Sequence, residues 1–440
     1  MTATVPLRCD ATTGSRGDAV TAEALPEEET EPPATDVPLR HNRNFRLLWI
    51  GQLLSDLGSE MGLLAYPLLV LYLSHSPVIA GAVGSATAFS AFIVRLPAGA
   101  LADRHDRRRM MIVTDGVRAV VLAGLAVAVA MHMIDWEVVL VVALIDRVGD
   151  TLFAPASMAT MPIIIPDRQL EDAWAATEAR QFTAGICGVS LGGILFGLGR
   201  ALPFVGDAIS YGVSTVTSGM LRGEFNAKRG DEPTKGLWRE AFQGFGVIWR
   251  TPILRAAIVQ APLINFVFTG VIATVTLALA YHGQRAGAIG LAQATIMAGG
   301  LLGAIVAPRL KNRLTLTQLI VLLCGGGTVC LVVASILIPS PFVAIPIAIP
   351  FFFSPVANAV LLAAMFRQTP AEYLGRVNNA LIQVATGLAT LSPLVAGLLV
   401  ANLSPHGAMA FFAVGLGVCL VVGLSLKGLR EAERLLAEAA

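Results

Sequence analysis

Asp56 and Glu60 sit in one long apolar run, and Asp146 and Asp150 sit in another, with Arg147 three residues before Asp150. A spacing of four puts each acidic pair on one face of a helix. Inside a membrane span an ionisable side chain costs at least roughly 2.5 to 3.5 kcal/mol, so each calls for a partner or an aqueous cavity. Desolvation and neighbouring carboxylates favour the protonated form of an acid, whereas a guanidinium favours the charged form. Acids held between these influences can load and release protons. The chemistry expected of Asp56, Glu60, Asp146, Arg147 and Asp150 is therefore proton coupling; the competing expectation is a static ion-pair network that only holds helices together.

The elements that must position these side chains are apolar segments. The chain has 440 residues, 55% of them hydrophobic and only 14% charged, against roughly 25% charged in soluble domains. From Asn44 onward twelve apolar stretches recur, approximately 44–73, 77–101, 109–131, 137–163, 173–199, 203–220, 253–281, 286–308, 315–338, 341–366, 373–402 and 406–427. Each is long enough to cross about 30 Å of hydrocarbon as a helix. Continuous apolar runs without period-two alternation exclude a barrel. The expected fold class is an all-α membrane protein with twelve transmembrane helices.

Residues 1–40 are polar and rich in Pro, Thr and Glu, which predicts a disordered cytoplasmic tail rather than a signal peptide. With the N-terminus inside, Arg and Lys fall on inner loops, among them Arg104 to Arg109, Arg309 and Arg376, while the outer loops hold only Arg200 and Arg285. That asymmetry places both termini in the cytoplasm of a cell membrane. Residues 221–252 form the longest internal loop and divide the chain into helical bundles at 41–220 and 253–427. Within it Trp238, Phe242, Phe245 and Trp249 share a helical face that suits the inner interface. Residues 428–440 read as a short cytoplasmic helix. The halves also repeat at one offset: a shift of 204 residues carries Gly99-Ala100 onto Gly303-Ala304, Pro166 onto Pro370, and GVSLGG at 188–193 onto SPLVAG at 392–397. Two parallel, pseudo-symmetric six-helix halves follow.

Gly99 to Arg109, GALADRHDRRR, is a basic hairpin between two apolar runs, in which Gly99 is expected to let helices approach closely. Through Gly99, Leu101, Ala102, Asp103, Arg104, Arg107 and Arg108 it resembles the G-x-L-A-D-R-x-G-R-R signature of the major facilitator superfamily, with Asp106 at the second glycine. The resemblance runs from Arg43 to Lys427. RNFRLLWIGQLLSDLGS, PASMATMPIIIPDRQLEDA and LGRVNNA look more narrowly like its drug-exporting branch, which includes macrolide and siderophore exporters, typically proton antiporters. Gly185, Gly188, Gly192 and Gly193 resemble the antiporter motif G-x-x-x-G-P-x-x-G-G, with Val189 replacing the proline. The resemblance implies that spans 1 and 4 face one another, which would gather Asp56, Glu60, Asp146, Arg147 and Asp150 into one nest.

A cytoplasmic gate is assigned to Gly99, Asp103, Arg104, Arg107, Arg108 and Arg109, with Asp115 and Arg118 near enough to join; its carboxylate would exchange partners between two states of the halves. Between Glu240 and Glu372 the chain has no Asp or Glu. There Gln260, Asn265, Asn358, Asn379 and Gln383, near Phe266, Phe268 and Phe351, suit an amphipathic substrate pocket or, equally, helix-to-helix hydrogen bonding. Arg95 and Glu178 read as snorkelling or gate-side charges.

No phosphate-loop, HExxH or GxSxG pattern exists, so an enzyme or ATP-driven pump is not expected. The five scattered cysteines predict no metal or disulfide framework. A net charge of +1 gives no basic face for nucleic acid. The expected partners are a small-molecule substrate, protons and the bilayer, with no cofactor and a functional monomer. Export of an amphipathic compound by proton antiport is the reading carried forward; a proton-coupled importer or facilitator of a small metabolite is the alternative.

Overall fold

A backbone in hydrocarbon must satisfy its own hydrogen bonds, and the apolar runs accordingly form helices. The computed structural model describes residues 38–223, 225, 251–310, 313–368 and 374–426, and the described residues from Leu39 onward belong to one compact unit. The tail at 1–37, the interfacial helix expected within 226–250 and the C-terminal helix at 428–440 lie outside the described residues. In chain order the long helices are α1 (Arg43–Ser74), α2 (Pro77–Arg104), α3 (Arg107–Ala130), α4 (Trp136–Ile164), α5 (Leu170–Leu198), α6 (Leu202–Gly219), α7 (Pro252–Tyr281), α8 (Ala286–Leu310), α9 (Leu316–Leu337), α10 (Ala344–Gln368), α11 and α12 (Pro405–Ser425). A π-turn at Val321–Gly326 interrupts α9, and α11 runs from Leu374–Gly387 through a 3-10 turn at Leu388–Leu391 into Ser392–Asn402.

Ten of the described helices are long and apolar enough to cross a membrane. The two that fall short are α4, which carries Asp146, Arg147 and Asp150, and the 18-residue α6, which carries Asp207. Each places at least one carboxyl in the protein interior, Asp146 from α4 and Asp207 from α6.

The packing of the first six helices recurs six helices later. α1 lies on α6 as α7 lies on α12, α3 on α6 as α9 on α12, and α2 on α4 as α8 on α10. The two sets meet through α5 against α8 and α2 against α11. Lipid supplies no hydrophobic drive between helices, so close backbone approach must come from small residues. A Cβ on Gly193 would lie 3.0 Å from the Gly290 Cα, and one on Gly397 would lie 3.3 Å from the Gly81 Cα. Gly193 and Gly397 are related by the 204-residue repeat. All four glycines lie toward the end of the molecule where α1 stops and α2 starts.

Gly99 corrects its expectation: nothing lies within 4 Å of a Cβ built there. Its repeat partner Gly303 does face the Phe352 carbonyl. Asp106 needs no glycine-like backbone, having φ −60° and capping α3 by accepting a hydrogen bond from the Arg109 amide at 3.0 Å.

Gly397→Val should wedge α2 from α11. An overlap of this kind costs of order 1–3 kcal/mol, so maleimide labelling of a cysteine at Ser85, buried beside Leu394, should rise about tenfold. An unchanged rate would contradict the close approach.

Candidate functional site

Arg118, in the middle of α3, is 2% exposed. Its Nε donates to Asp146 Oδ1 on α4 at 2.8 Å, and Nη1 lies 3.4 Å from Asp115 Oδ1 one turn earlier. Nη2 donates to Ser59 Oγ on α1 at 3.2 Å and to the Tyr211 hydroxyl on α6, and lies 3.6 Å from Asp150 Oδ1. The guanidinium also lies against the Tyr211 ring, 3.8 Å from its centroid. One cation thus joins α1, α3, α4 and α6. The Tyr66 hydroxyl of α1 donates to the other Asp146 oxygen at 3.1 Å, and Ser59 and Tyr211 share a 2.8 Å hydrogen bond.

Asp115 and Arg118 therefore belong to this buried cluster rather than to the loop at Asp103. Eleven residues of helix, at about 1.5 Å each, separate Arg118 from the start of α3. The partner of Asp146 is Arg118, not Arg147. Adjacent residues on a helix point about 100° apart, so Arg147 cannot share the face of Asp146 but can reach Asp150. Arg147 Nη1 lies 3.1 Å from Asp150 Oδ2, and the two side chains are 46% and 38% exposed. Asp150 stands between a buried cation and an open one.

The acids of α1 take a different partner. Arg180 of α5, itself buried, places Nη1 3.3 Å from Asp56 Oδ2. Among the described residues no ion pair joins Asp56 or Glu60 to α4, so the expected single nest is two adjoining groups. Gly188 and Gly192 bring α5 onto α1: Cβ atoms there would lie 2.6 Å from Glu60 Cβ and 2.8 Å from Met61 Cα. Gly185 and Gly193 face α8 instead, at Met297 and Gly290. With Val189 in place of proline, α5 runs unbroken.

Asp207 of α6 is wholly buried. It packs on Gly58 and Gly62 of α1, where a side chain would collide with its carboxyl. Arg180, Asp207, Tyr66 and Tyr211 join the site although no motif contains them, and so does Ser59, the last residue of RNFRLLWIGQLLSDLGS and one not expected there. The signal available in the sequence is an ionisable residue within an apolar run, which Arg180 and Asp207 both are.

At the basic hairpin, Arg107 Nη1 donates to the Ala159 carbonyl at 3.1 Å and Arg108 donates to the Gly219 carbonyl at the end of α6. Both contacts stay within the first six helices. Asp103 and Arg104 are exposed, as is Glu178, and Arg95 Nη1 reaches Thr386 Oγ1 at 3.4 Å. In the later helices Gln260 donates to the Cys419 carbonyl, Asn265 to that of Ala385, and Gln383 across to Phe92 of α2, at 2.9, 3.2 and 2.9 Å. These three act as helix-to-helix hydrogen bonds, whereas Asn358 and Asn379 are exposed. Phe268 stacks on Phe351 at 4.6 Å.

Comparison with known proteins gives one family. The family described as transmembrane secretion effector matches residues 34–439. The chain is 25% identical over 402 residues to the multidrug efflux pump Tap of Mycobacterium tuberculosis (strain ATCC 25618 / H37Rv), covering 88% of this chain and 94% of that one. It is 24% identical over 344 residues to macrolide efflux protein A of Streptococcus pyogenes, covering 76% and 83%. Among solved structures, the nucleoside transporter NupG superposes with a TM-score of 0.65 at 12% identity, over 88% of this chain and 99% of that chain.

Removing the Arg118 charge leaves Asp115 and Asp146 buried against nothing positive, at a cost of about 3–5 kcal/mol. Arg118→Met should abolish recovery of monodisperse protein after extraction or sharply lower its thermal midpoint. Arg147→Met removes an open pair worth at most about 1 kcal/mol and should leave the midpoint nearly unchanged. Equal effects would contradict the assignment of the buried cation.

Proposed function

The chain belongs to the transmembrane secretion effector family and is a multi-pass membrane transporter of the major facilitator superfamily, not an enzyme; from that premise we propose that it exports a small amphipathic compound in exchange for protons. The compound is a drug, antibiotic, secondary metabolite or siderophore, as the efflux relatives suggest. Twelve crossings in two six-helix bundles, with both termini cytoplasmic, rock about the substrate to open one side at a time. In this frame the glycine seams of Gly81 with Gly397 and Gly193 with Gly290 lie at the outer face. The described arrangement is then closed outside, and in it Arg107 and Arg108 of the basic hairpin hold carbonyls of their own half.

One observation carries the proton reading. The first six helices hold six carboxyls in or beside the site, namely Asp56, Glu60, Asp115, Asp146, Asp150 and Asp207, against four guanidiniums, Arg95, Arg118, Arg147 and Arg180. Fully ionised, that group carries a net negative charge inside a low-dielectric span, which is costly unless protons or a cationic partner offset it. Asp150, with one oxygen toward buried Arg118 and the other toward open Arg147, is the link between water and interior. Asp56 and Glu60, against α5, are placed to pass the protonation state on to the α5–α8 seam. Asn358 and Asn379 are the remaining candidates for direct substrate contact.

In proteoliposomes, Asp56→Asn, Glu60→Gln, Asp146→Asn and Asp150→Asn should each reduce proton flux driven by a macrolide or an amphiphilic dye, with the largest loss, about tenfold or more, at Asp150. Unchanged flux in all four would refute proton coupling by this site. Proton and solute moving in the same direction would identify an importer.

A further inference from the structure

Arg200 and Arg285, the two cations on outer loops, play no part in the site above; the structure sets Arg200 in the lining of a cavity and the backbone on either side of Arg285 along it. A cavity of about 540 Å³ lies between the end of α1, the α5–α6 corner, the end of α7 and the start of α8. Phe196 and Ile289 supply apolar wall, Tyr72, Tyr281 and Gln284 supply polar edges, and Arg200 supplies a charge. Arg285 lies between Gln284 and Ala286, both of which line the cavity. Among the described residues no acidic side chain lines it. The Arg200 guanidinium sits 3.5 Å over the Tyr72 ring centroid, which orients its plane while leaving the in-plane N–H donors available. Among the described residues it has no carboxylate partner.

The chemistry of that lining is specific. Aromatic and aliphatic walls favour a flat apolar body, and an oriented guanidinium with no counter-charge favours a single oxyanion. We propose that this cavity binds an aromatic monoanion, a sulfonate or carboxylate, with its ring against Phe196 and Tyr281 and its oxygens on the free donors of Arg200. The cavity draws its walls from both sets of six helices and adjoins the Gly193–Gly290 approach, so it exists only while that seam is closed. A ligand that binds one state shifts the population toward it. Occupancy therefore holds the seam shut and slows transport, the one part of the proposal that rests on the alternating-access reading.

The test uses the full chain in nanodiscs of zwitterionic lipid, titrated with naphthalenesulfonate and followed by its fluorescence. Saturable one-to-one binding is expected. Arg200→Gln, an exposed substitution whose folding is checked by an unchanged thermal midpoint, should weaken binding about tenfold or more. Arg285→Gln should weaken it two- to threefold, and neutral naphthylmethanol should bind wild type about as poorly as the sulfonate binds Arg200→Gln. Equal sulfonate affinity in wild type and Arg200→Gln, or no saturable binding to folded wild type, would overturn the site. In a second arm, saturating sulfonate should slow maleimide labelling of Ser85→Cys at least threefold, and not in the Arg200→Gln background. Bound sulfonate with an unchanged labelling rate would overturn the locking role alone. Neither arm measures proton flux, so failure here is distinguishable from failure of the proton-exchange reading.

Discussion

A guanidinium sealed from water has to be surrounded by acceptors, and the acceptors available to Arg118 come from four helices. This constraint fixes how α1, α3, α4 and α6 meet more tightly than any apolar contact could, because lipid competes equally well for apolar side chains. Removing one helix from the set leaves a buried charge unmatched, which costs more than the pair itself contributes. The carboxyl of Asp207 packed on Gly58 and Gly62, and the two tyrosines that touch the Arg118 and Asp146 groups, extend the same polar interior. The second set of helices repeats the packing with an apolar core around Phe412, Leu416 and Ile347 and side chain to backbone hydrogen bonds. Among the described residues, the buried carboxyls and guanidiniums of Asp115, Arg118, Asp146, Arg180 and Asp207 all lie in the first half.

On the proposed proton exchange, that division makes the first half the titrating one and the second the more passive one. Contact between them combines backbone approaches at glycines with hydrogen bonds from α11 to α2, among them the Leu394 amide to Ser85 Oγ and Gln383 to the Phe92 carbonyl, both at 2.9 Å. The proposed coupling then requires only that the charge state near Asp56 and Glu60 alter how α1 and α5 sit, because α5 packs on those acids, pairs with Asp56 through Arg180 and meets α8.

Much of this was legible in the sequence because lipid imposes length and polarity directly. The helices, the repeat that pairs Gly193 with Gly397, and the unusual acids at 56, 60, 146 and 150 follow from run length and from the cost of charge in hydrocarbon. The pairing was not legible. Arg147 is next to Asp146 in sequence and therefore turned away from it, while Arg118, 28 residues off, meets it. Asp115 and Arg118 looked like an extension of the basic hairpin because linear distance hides a rise of about 16 Å along α3. Gln260, Asn265 and Gln383 were equally compatible with pocket or helix contact, since both uses want an amide inside an apolar run. Only the neighbouring carbonyls decided between them.

The central claim is that Arg118 and Asp146 act as one unit that organises the first six helices. A double-mutant cycle on thermal or denaturant-induced unfolding of the extracted protein, combining Arg118→Met with Asp146→Asn, tests it most directly. The account predicts strong coupling, about 2 kcal/mol or more, so that Arg118→Met/Asp146→Asn is markedly more stable than the summed single losses imply. Additivity within about 0.5 kcal/mol would contradict it.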